Sequence, residues 1–232
     1  MIFGQDTKIL CADASFKNVQ DLFPGDKIMN ENGESVQIMY INRGRDTIRT
    51  FTFKNKLNYK IGASQLLNMK SDEGIIAIKC SEITNNHSFI KTKMNIPDKI
   101  LKLSPYSYGF NLQNEILENY KLGSIKQRQE LLAAIIDRHG TNNSLHIMLT
   151  NVQPILDLIF LCKSLNINVC VRDEGLELYG SEVKNIPCKL VQNNIKDIRD
   201  VREFTMQDGE EFFYDIVTSE PCDFILEDFV LA

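Results

Sequence analysis

The sequence has few of the groups that build metal sites or disulfide frameworks. Its six cysteines (Cys11, Cys80, Cys162, Cys170, Cys188 and Cys222) lie far apart with no C-x-x-C pair. Its three histidines, His87, His139 and His146, are equally scattered. That spacing argues against a zinc motif and a disulfide scaffold, and leaves buried free thiols as the simplest role. No apolar run approaches the roughly 20 residues of a membrane helix, and the opening MIFGQDTK lacks the charged-then-apolar order of a secretory signal. The expectation is an intracellular protein, of cytoplasm or nucleus, without a membrane partner. A basic excess is missing too: the net charge of -5 has the wrong sign for a protein whose affinity depends mainly on neutralising phosphates.

What is present is an ordinary globular composition. With 232 residues, 43% hydrophobic and 25% charged, the chain can bury one large core or two small ones. Residues 8 to 60 alternate apolar and polar side chains, with turn signals at FPGD, NENG and NRGR, which predicts short antiparallel strands.

From about residue 98 the period becomes helical. IKQRQELLAAIIDRHG places Leu131, Leu132, Ile135 and Ile136 on one stripe, with Gly140 as a left-handed stop, and NVQPILDLIFLCKSLN carries Pro154 in its first turn. SLHIMLT, NVCVRD and GLELYG read as strands around these helices, and after about residue 203 the β-pattern returns in FFYDIVTSEPCDFILEDFVLA. A helical module is thus bracketed by two pieces of a β-domain.

Three stretches, in this order, carry a resemblance to a known family. DTKILCADASFKNVQDLFPGDKIM, with Thr7, Pro24, Gly25 and Asp26 on the matching positions, looks like the first intein block. GEEFFYDIVTSEPCDFILEDFVLA, through Phe224, Leu226, Asp228 and Phe229, looks like the closing intein strands. LAAIIDRHG lies on the LAGLIDADG motif, with Ala134 for glycine, Ile135 for leucine and His139 for the final acid. The chain therefore resembles intein-type Hint domains carrying an inserted LAGLIDADG homing-endonuclease module, such as fungal vacuolar ATPase inteins and the yeast mating-type switching endonuclease. The resemblance implies a mostly β, horseshoe-like Hint domain from residues 1–97 and 204–232, with an α+β insert at 98–203.

Splicing in that family needs a nucleophile at the first residue, a Thr-x-x-His set that activates the peptide bond, and a terminal His-Asn. Here Met1 offers a thioether, Gly62 stands for the threonine, Gln65 stands for the histidine, and the pattern would continue past Ala232. A thioether has no proton to lose and a glutamine amide does not titrate, so splicing is expected to be lost. Cys11 and Cys80 are the alternative nucleophiles, and no spacing supports either.

For the insert, the resemblance implies two roles for the motif helix. Small residues, here Ala133 and Ala134, allow a second helix close approach, and the last acid holds Mg²⁺ between scissile phosphates. His139 occupies the acid's position, and Mg²⁺ prefers oxygen ligands. Asp137, two residues away, is the remaining catalytic candidate, although on a helix it points elsewhere and suits a local polar contact. Only one motif is visible, with Gly109 in SPYSYGFNLQNEILENY as the sole trace of another. Self-association through the 127–139 helix would supply the missing half.

The reading is a degenerate intein-like protein whose insert binds double-stranded DNA through Lys126, Arg128 and Arg138. No metal site is expected, and Mg²⁺ matters only if cleavage survives. The rival is a non-catalytic protein-interaction or structural module on the same fold.

Overall fold

The computed structural model describes residues 1–53, 57–141, 145–149, 151–172, 175–189 and 204–232. The chain divides into two units, Met1–Thr92 with Val201–Ala232 as unit 1 and Lys93–Asp200 as unit 2.

Unit 1 is built of strands. Its first part holds β1 (Ile2–Gly4), β2 (Lys8–Leu10), β3 (Phe16–Asn18), β4 (Lys27–Met29), β5 (Ser35–Phe53), β6 (Asn58–Gly62), β7 (Leu66–Ser71), β8 (Gly74–Lys79) and β9 (Ser88–Phe89). Unit 2 supplies α1 (Pro105–Phe110), α2 (Glu118–Lys121), α3 (Ile125–His139), β10 (His146–Met148), α4 (Val152–Ser164), β11 (Asn168–Arg172) and β12 (Gly175–Tyr179). The chain returns to unit 1 with β13 (Phe204–Thr218), β14 (Ile225–Leu226) and β15 (Val230–Leu231). The first junction lies at 92/93, earlier than the expected 97/98, because the connecting segment is bound into unit 2. Met94 and Ile96 are buried, and Gln127 bonds the Lys99 backbone in both directions. The expected junction at 203/204 abuts residues 190–203, which lie outside the described residues.

In unit 1 the strands order as β13-β1-β6-β5-β4, with β13 also pairing β5, and two further sheets run β15-β14-β2-β3 and β8-β7-β9. The longest ladder is β5 against β13, from Phe53↔Phe204 to Ile38↔Thr218. Alternation places Val36, Ile38 and Ile216 inside, and Phe51, Phe53, Tyr59, Phe89 and Phe204 meet as neighbouring rings 5.0 to 5.9 Å apart. Ring pairs of this edge-on kind add to the apolar area they bury.

The turns at FPGD and NENG form, with Gly25 at φ 96° and Gly33 at φ 78°, conformations that cost glycine little. The expected break at NRGR does not form, and residues 42–45 run inside β5. Gly44 pairs with Phe213, whose ring fills the space of a side chain: a Cβ on Gly44 would stand 2.7 Å from Phe213 Cε1. Arg43 and Arg45 lie over the Tyr214 and Phe212 rings at 5.3 and 4.8 Å. Residues that read locally as turn formers are here a cross-strand packing device.

In unit 2, Ser124 and Gln127 form a capping box that starts α3, and every side chain from Leu131 to Ile136 is fully buried. Gly109 lets α1 lie against α3; a Cβ there would meet Leu131 O at 2.7 Å and the Ala134 Cβ at 3.1 Å. Ala134 is buried at this contact and Ala133 in the unit's core, so the alanines expected to admit a second helix are covered within the chain. Gly140 ends α3 in extended geometry, φ -72° and ψ 145°, and not in the expected left-handed one; its N–H bonds to Ile136 O. The sheet β10-β12-β11 and α4 complete the core through Ile147, Leu158, Leu161 and Leu176.

Candidate functional site

Unit 1 gathers the positions expected to carry splicing chemistry. β1 pairs with β13 and, through Phe3↔Ile61, with β6, which brings the first residues beside Gly62. The Met1 ammonium donates to Asp215 Oδ1 at 3.0 Å and to Ile216 O at 2.9 Å. Gly62 is packed: a Cβ there would stand 2.9 Å from Ile2 Cγ2, 3.0 Å from Ile2 Cβ and 3.3 Å from Gln65 Cγ. Gln65 is half-buried and tied by its backbone to Gly62 O and Cys80 N. Phe3 meets Phe224 edge-on at 5.3 Å, and Phe224 exchanges two backbone hydrogen bonds with Ala232. First strand, Gly62 turn and last strand thus share one core, while the groups at hand are a thioether, an absent side chain and an amide.

The residues of the intein-like blocks hold this arrangement. Thr7 is buried and donates through Oγ1 to Lys60 O at 3.1 Å. Gly25 N–H bonds Ile38 O and Ile38 N–H bonds Asp26 O, which clips the Pro24-Gly25-Asp26 turn to β5. Leu226 pairs with Ile9. Asp228 and Phe229 both take positive φ, 69° and 58°, a conformation disfavoured for such residues. It is held by the Lys91–Asp228 ion pair at 3.6 Å and the Phe16–Phe229 ring contact.

Neither alternative nucleophile is activated. Cys11 and Cys80 are buried, and burial pushes both thiols up, Cys80 to about 12. At neutral pH each is a thiol, not a thiolate.

At the foot of α3, Asp137 is fully engaged in local contacts. Its Oδ2 accepts from the Tyr106 hydroxyl at 2.8 Å and its Oδ1 from the Lys189 N–H at 2.6 Å. Tyr106 and Phe110 stack at 6.2 Å, with Lys189 Nζ over the first ring at 5.3 Å and the Arg138 guanidinium over the second at 5.4 Å. His139 is half-buried, and burial, then Arg138, lowers its pKa, so its imidazole is neutral at pH 7. Among the described residues no three acidic, histidine or cysteine side chains converge as a metal cage. Neither a neutral imidazole nor a carboxylate engaged by Tyr106 and Lys189 suits Mg²⁺.

The three expected phosphate contacts are not brought together. Lys126 and Arg138 are exposed at opposite ends of α3, about 18 Å apart along its axis by helical rise. Arg128 is a correction: it has no exposed surface, and its guanidinium donates to the carbonyls of Gly123 (3.0 Å), Ser164 (2.9 Å) and Met94. It cannot reach a phosphate in this fold. Lys189, which no sequence pattern singles out, is the cation that does neighbour Arg138's aromatic platform.

No protein-family model matches the chain, and no curated protein does. Among solved structures it is similar to the gp41-1 intein (8% identity, 100% of this chain and 98% of that chain, TM-score 0.38). It is similar also to a DnaB intein from Synechocystis (10%, 99% and 96%, TM-score 0.41). A third similar structure is a bacterial intein-like domain from Clostridium thermocellum (9%, 100% and 96%, TM-score 0.39). At these scores the likeness carries no argument about fold or function.

Proposed function

We propose that unit 1 is a Hint-type domain that has lost self-splicing and that unit 2 is an inserted LAGLIDADG-type module that binds duplex DNA without cutting it. The observation that carries the reading is the packing of Gly62 against Ile2 and Gln65, with Ile2 occupying the space that a threonine at 62 would need. The two positions expected for the Thr-x-x-His set are neighbours, and the glycine and glutamine that fill them supply neither a hydroxyl nor an imidazole. The Gly109–Ala134 approach of α1 and α3 supports the second half, being the close helix packing that the motif's small residues permit.

For DNA, the surface that fits best is the foot of α3, where the exposed Arg138 and Lys189 hold their cationic groups over stacked rings. Cutting is not expected, because Asp137 is committed to Tyr106 and Lys189 and His139 supplies nitrogen where an acid would be needed.

The test has two arms. Placed between two reporter segments, the chain should yield no ligated product; ligation would overturn the first half. Fluorescence anisotropy with a labelled duplex should show affinity that falls with rising salt and weakens in Arg138→Gln with Lys189→Gln. No salt-dependent binding would leave the rival, a protein-interaction module, which the net charge of -5 and the burial of Arg128 favour.

A further inference from the structure

The centre of the outer strand of the β8-β7-β9 sheet lacks the proline, bulge or charge that often guards a free edge. β8 pairs with β7 in an unbroken register from Gly74↔Ser71 to Lys79↔Leu66, and among the described residues nothing pairs with its other side. Its centre is the run Ile75-Ile76-Ala77-Ile78, without a proline, a bulge or a charge, and Ile75 is 68% exposed. Free edges of this kind are normally blunted, because their open N–H and C=O groups are a template for another strand. The two charges that bound the run, Glu73 and Lys79, are exposed, and neither has an ion-pair partner among the described residues.

We infer that β8 is the docking edge for a second copy of this chain, joined antiparallel about a two-fold axis at Ile76 to make a continuous six-stranded sheet. The occupant follows from charge complementarity. With Ile76 opposite its own copy, Ile75 faces Ala77 of the second chain, and Glu73 faces Lys79 twice over. Shifting the centre to Ala77 sets Asp72 against Glu82 and leaves Glu73 facing Ser81, so like charges replace ion pairs. Cross-strand charge pairs and the in-out alternation of side chains together fix such a register. A two-fold interface repeats each favourable contact. The edge is short, so the association belongs to the weak, concentration-dependent class. None of the residues named for splicing or DNA binding takes part.

Light scattering on the full chain across a concentration series up to millimolar tests this. The mean mass is expected to climb from one chain toward twice that value. Glu73→Lys alone and Lys79→Glu alone should hold the protein monomeric, since each sets like charges face to face, and Ile75→Lys should do the same by charging the edge. The double swap, Glu73→Lys with Lys79→Glu, should restore the dimer. Thermal melting by circular dichroism checks that each variant keeps the parent's fold, which exposed positions on one hairpin should allow. A single-chain mass for the parent at every concentration would overturn the inference. So would a dimer unchanged by the single substitutions, or a double swap that stays monomeric.

Discussion

The Arg128 guanidinium donates to the Ser164 carbonyl, 2.9 Å away, at the C-terminal end of α4, in a place with no exposure to solvent. A helix end leaves its last carbonyls without partners, and a cation there satisfies both their hydrogen bonding and the negative end of the helix dipole. The same group serves Gly123 O, just past α2, and Met94 O in the segment entering unit 2. Burial lowers its pKa to about 10, which still leaves it charged at neutral pH. One side chain thus joins three backbone ends, and no carboxylate takes part in those three bonds.

Arg128→Met should therefore destabilise unit 2 by about 3 to 5 kcal/mol, because three buried carbonyls lose their donor at about 1 to 3 kcal/mol each, less the removed cost of a buried charge. Arg128→Lys should lose less, since an ammonium keeps the charge and some of the bonds. Hydrogen exchange followed by mass spectrometry separates the effect by region. Faster exchange is expected in α3 and α4, with β5 and β13 unchanged. Equal acceleration in both units would show that Arg128 supports more than its own unit.

The position of Arg128 was legible in part. Residues 128, 131, 132 and 135 fall on one helical stripe, so the period that predicts Leu131, Leu132 and Ile135 in the core predicts residue 128 there too. Its residue type argued the opposite, and the stripe prevailed because three carbonyls waited at its end. The strands of the β-domain and the body of α3 were readable for a similar reason, since alternation and a helical apolar stripe are local signals. NRGR was misread because its strand state rests on Phe212, Phe213 and Tyr214, far along the chain, and long-range packing overrides local turn preference. Lys189 had no signal at all; its contact with Tyr106 exists only in three dimensions.

Gly62 offers a test of how far the lost chemistry has been overwritten. Gly62→Thr should destabilise unit 1 by about 1 to 3 kcal/mol, the usual cost of forcing extra atoms into a packed site, because Ile2 Cβ and Cγ2 stand within 3.0 Å of the new Cβ. Of the two contacts, Ile2→Ala removes the one with Cγ2 and should relieve part of the loss; Ile2→Gly removes both and should relieve more. A double-mutant cycle from urea unfolding should give a favourable coupling of about 1 kcal/mol or more between positions 2 and 62. Additive losses would mean that Ile2 moves aside freely. With coupling of that size, any attempt to rebuild a splicing centre with Thr at 62 and His at 65 must change Ile2 as well.

Two carboxylates of unit 1 should respond to pH with opposite signs. Asp208 lies below the usual carboxylate range, chiefly through its hydrogen bonds from Arg49 at 2.6 and 2.7 Å, whose Nη1 also holds the carbonyls of Cys80, Ser81 and Ile83. Asp223 lies above that range, first through burial and then through Glu31, whose Oε2 accepts from the Asp223 N–H at 3.1 Å. For Asp208 the native state favours the ionised form, so its stabilisation is present above the unfolded value of about 3.9 and is lost as pH falls through the lower native value. For Asp223 the native state favours the protonated form; its contribution is present below about 3.9 and is lost as pH rises through the higher native value. At pH 7, Asp208→Asn should cost less than about 1 kcal/mol, because the aspartate is nearly half exposed and solvent screens the pair. Asp223→Asn should instead stabilise at pH 7, by removing a charge that burial and Glu31 both oppose. Urea midpoints measured at pH 7 and near pH 2 decide the matter, since both differences should shrink in acid as the parent carboxylates protonate. A loss of stability in Asp223→Asn at neutral pH would show that its ionised carboxylate holds the closing strand and that the sign argued from burial is wrong.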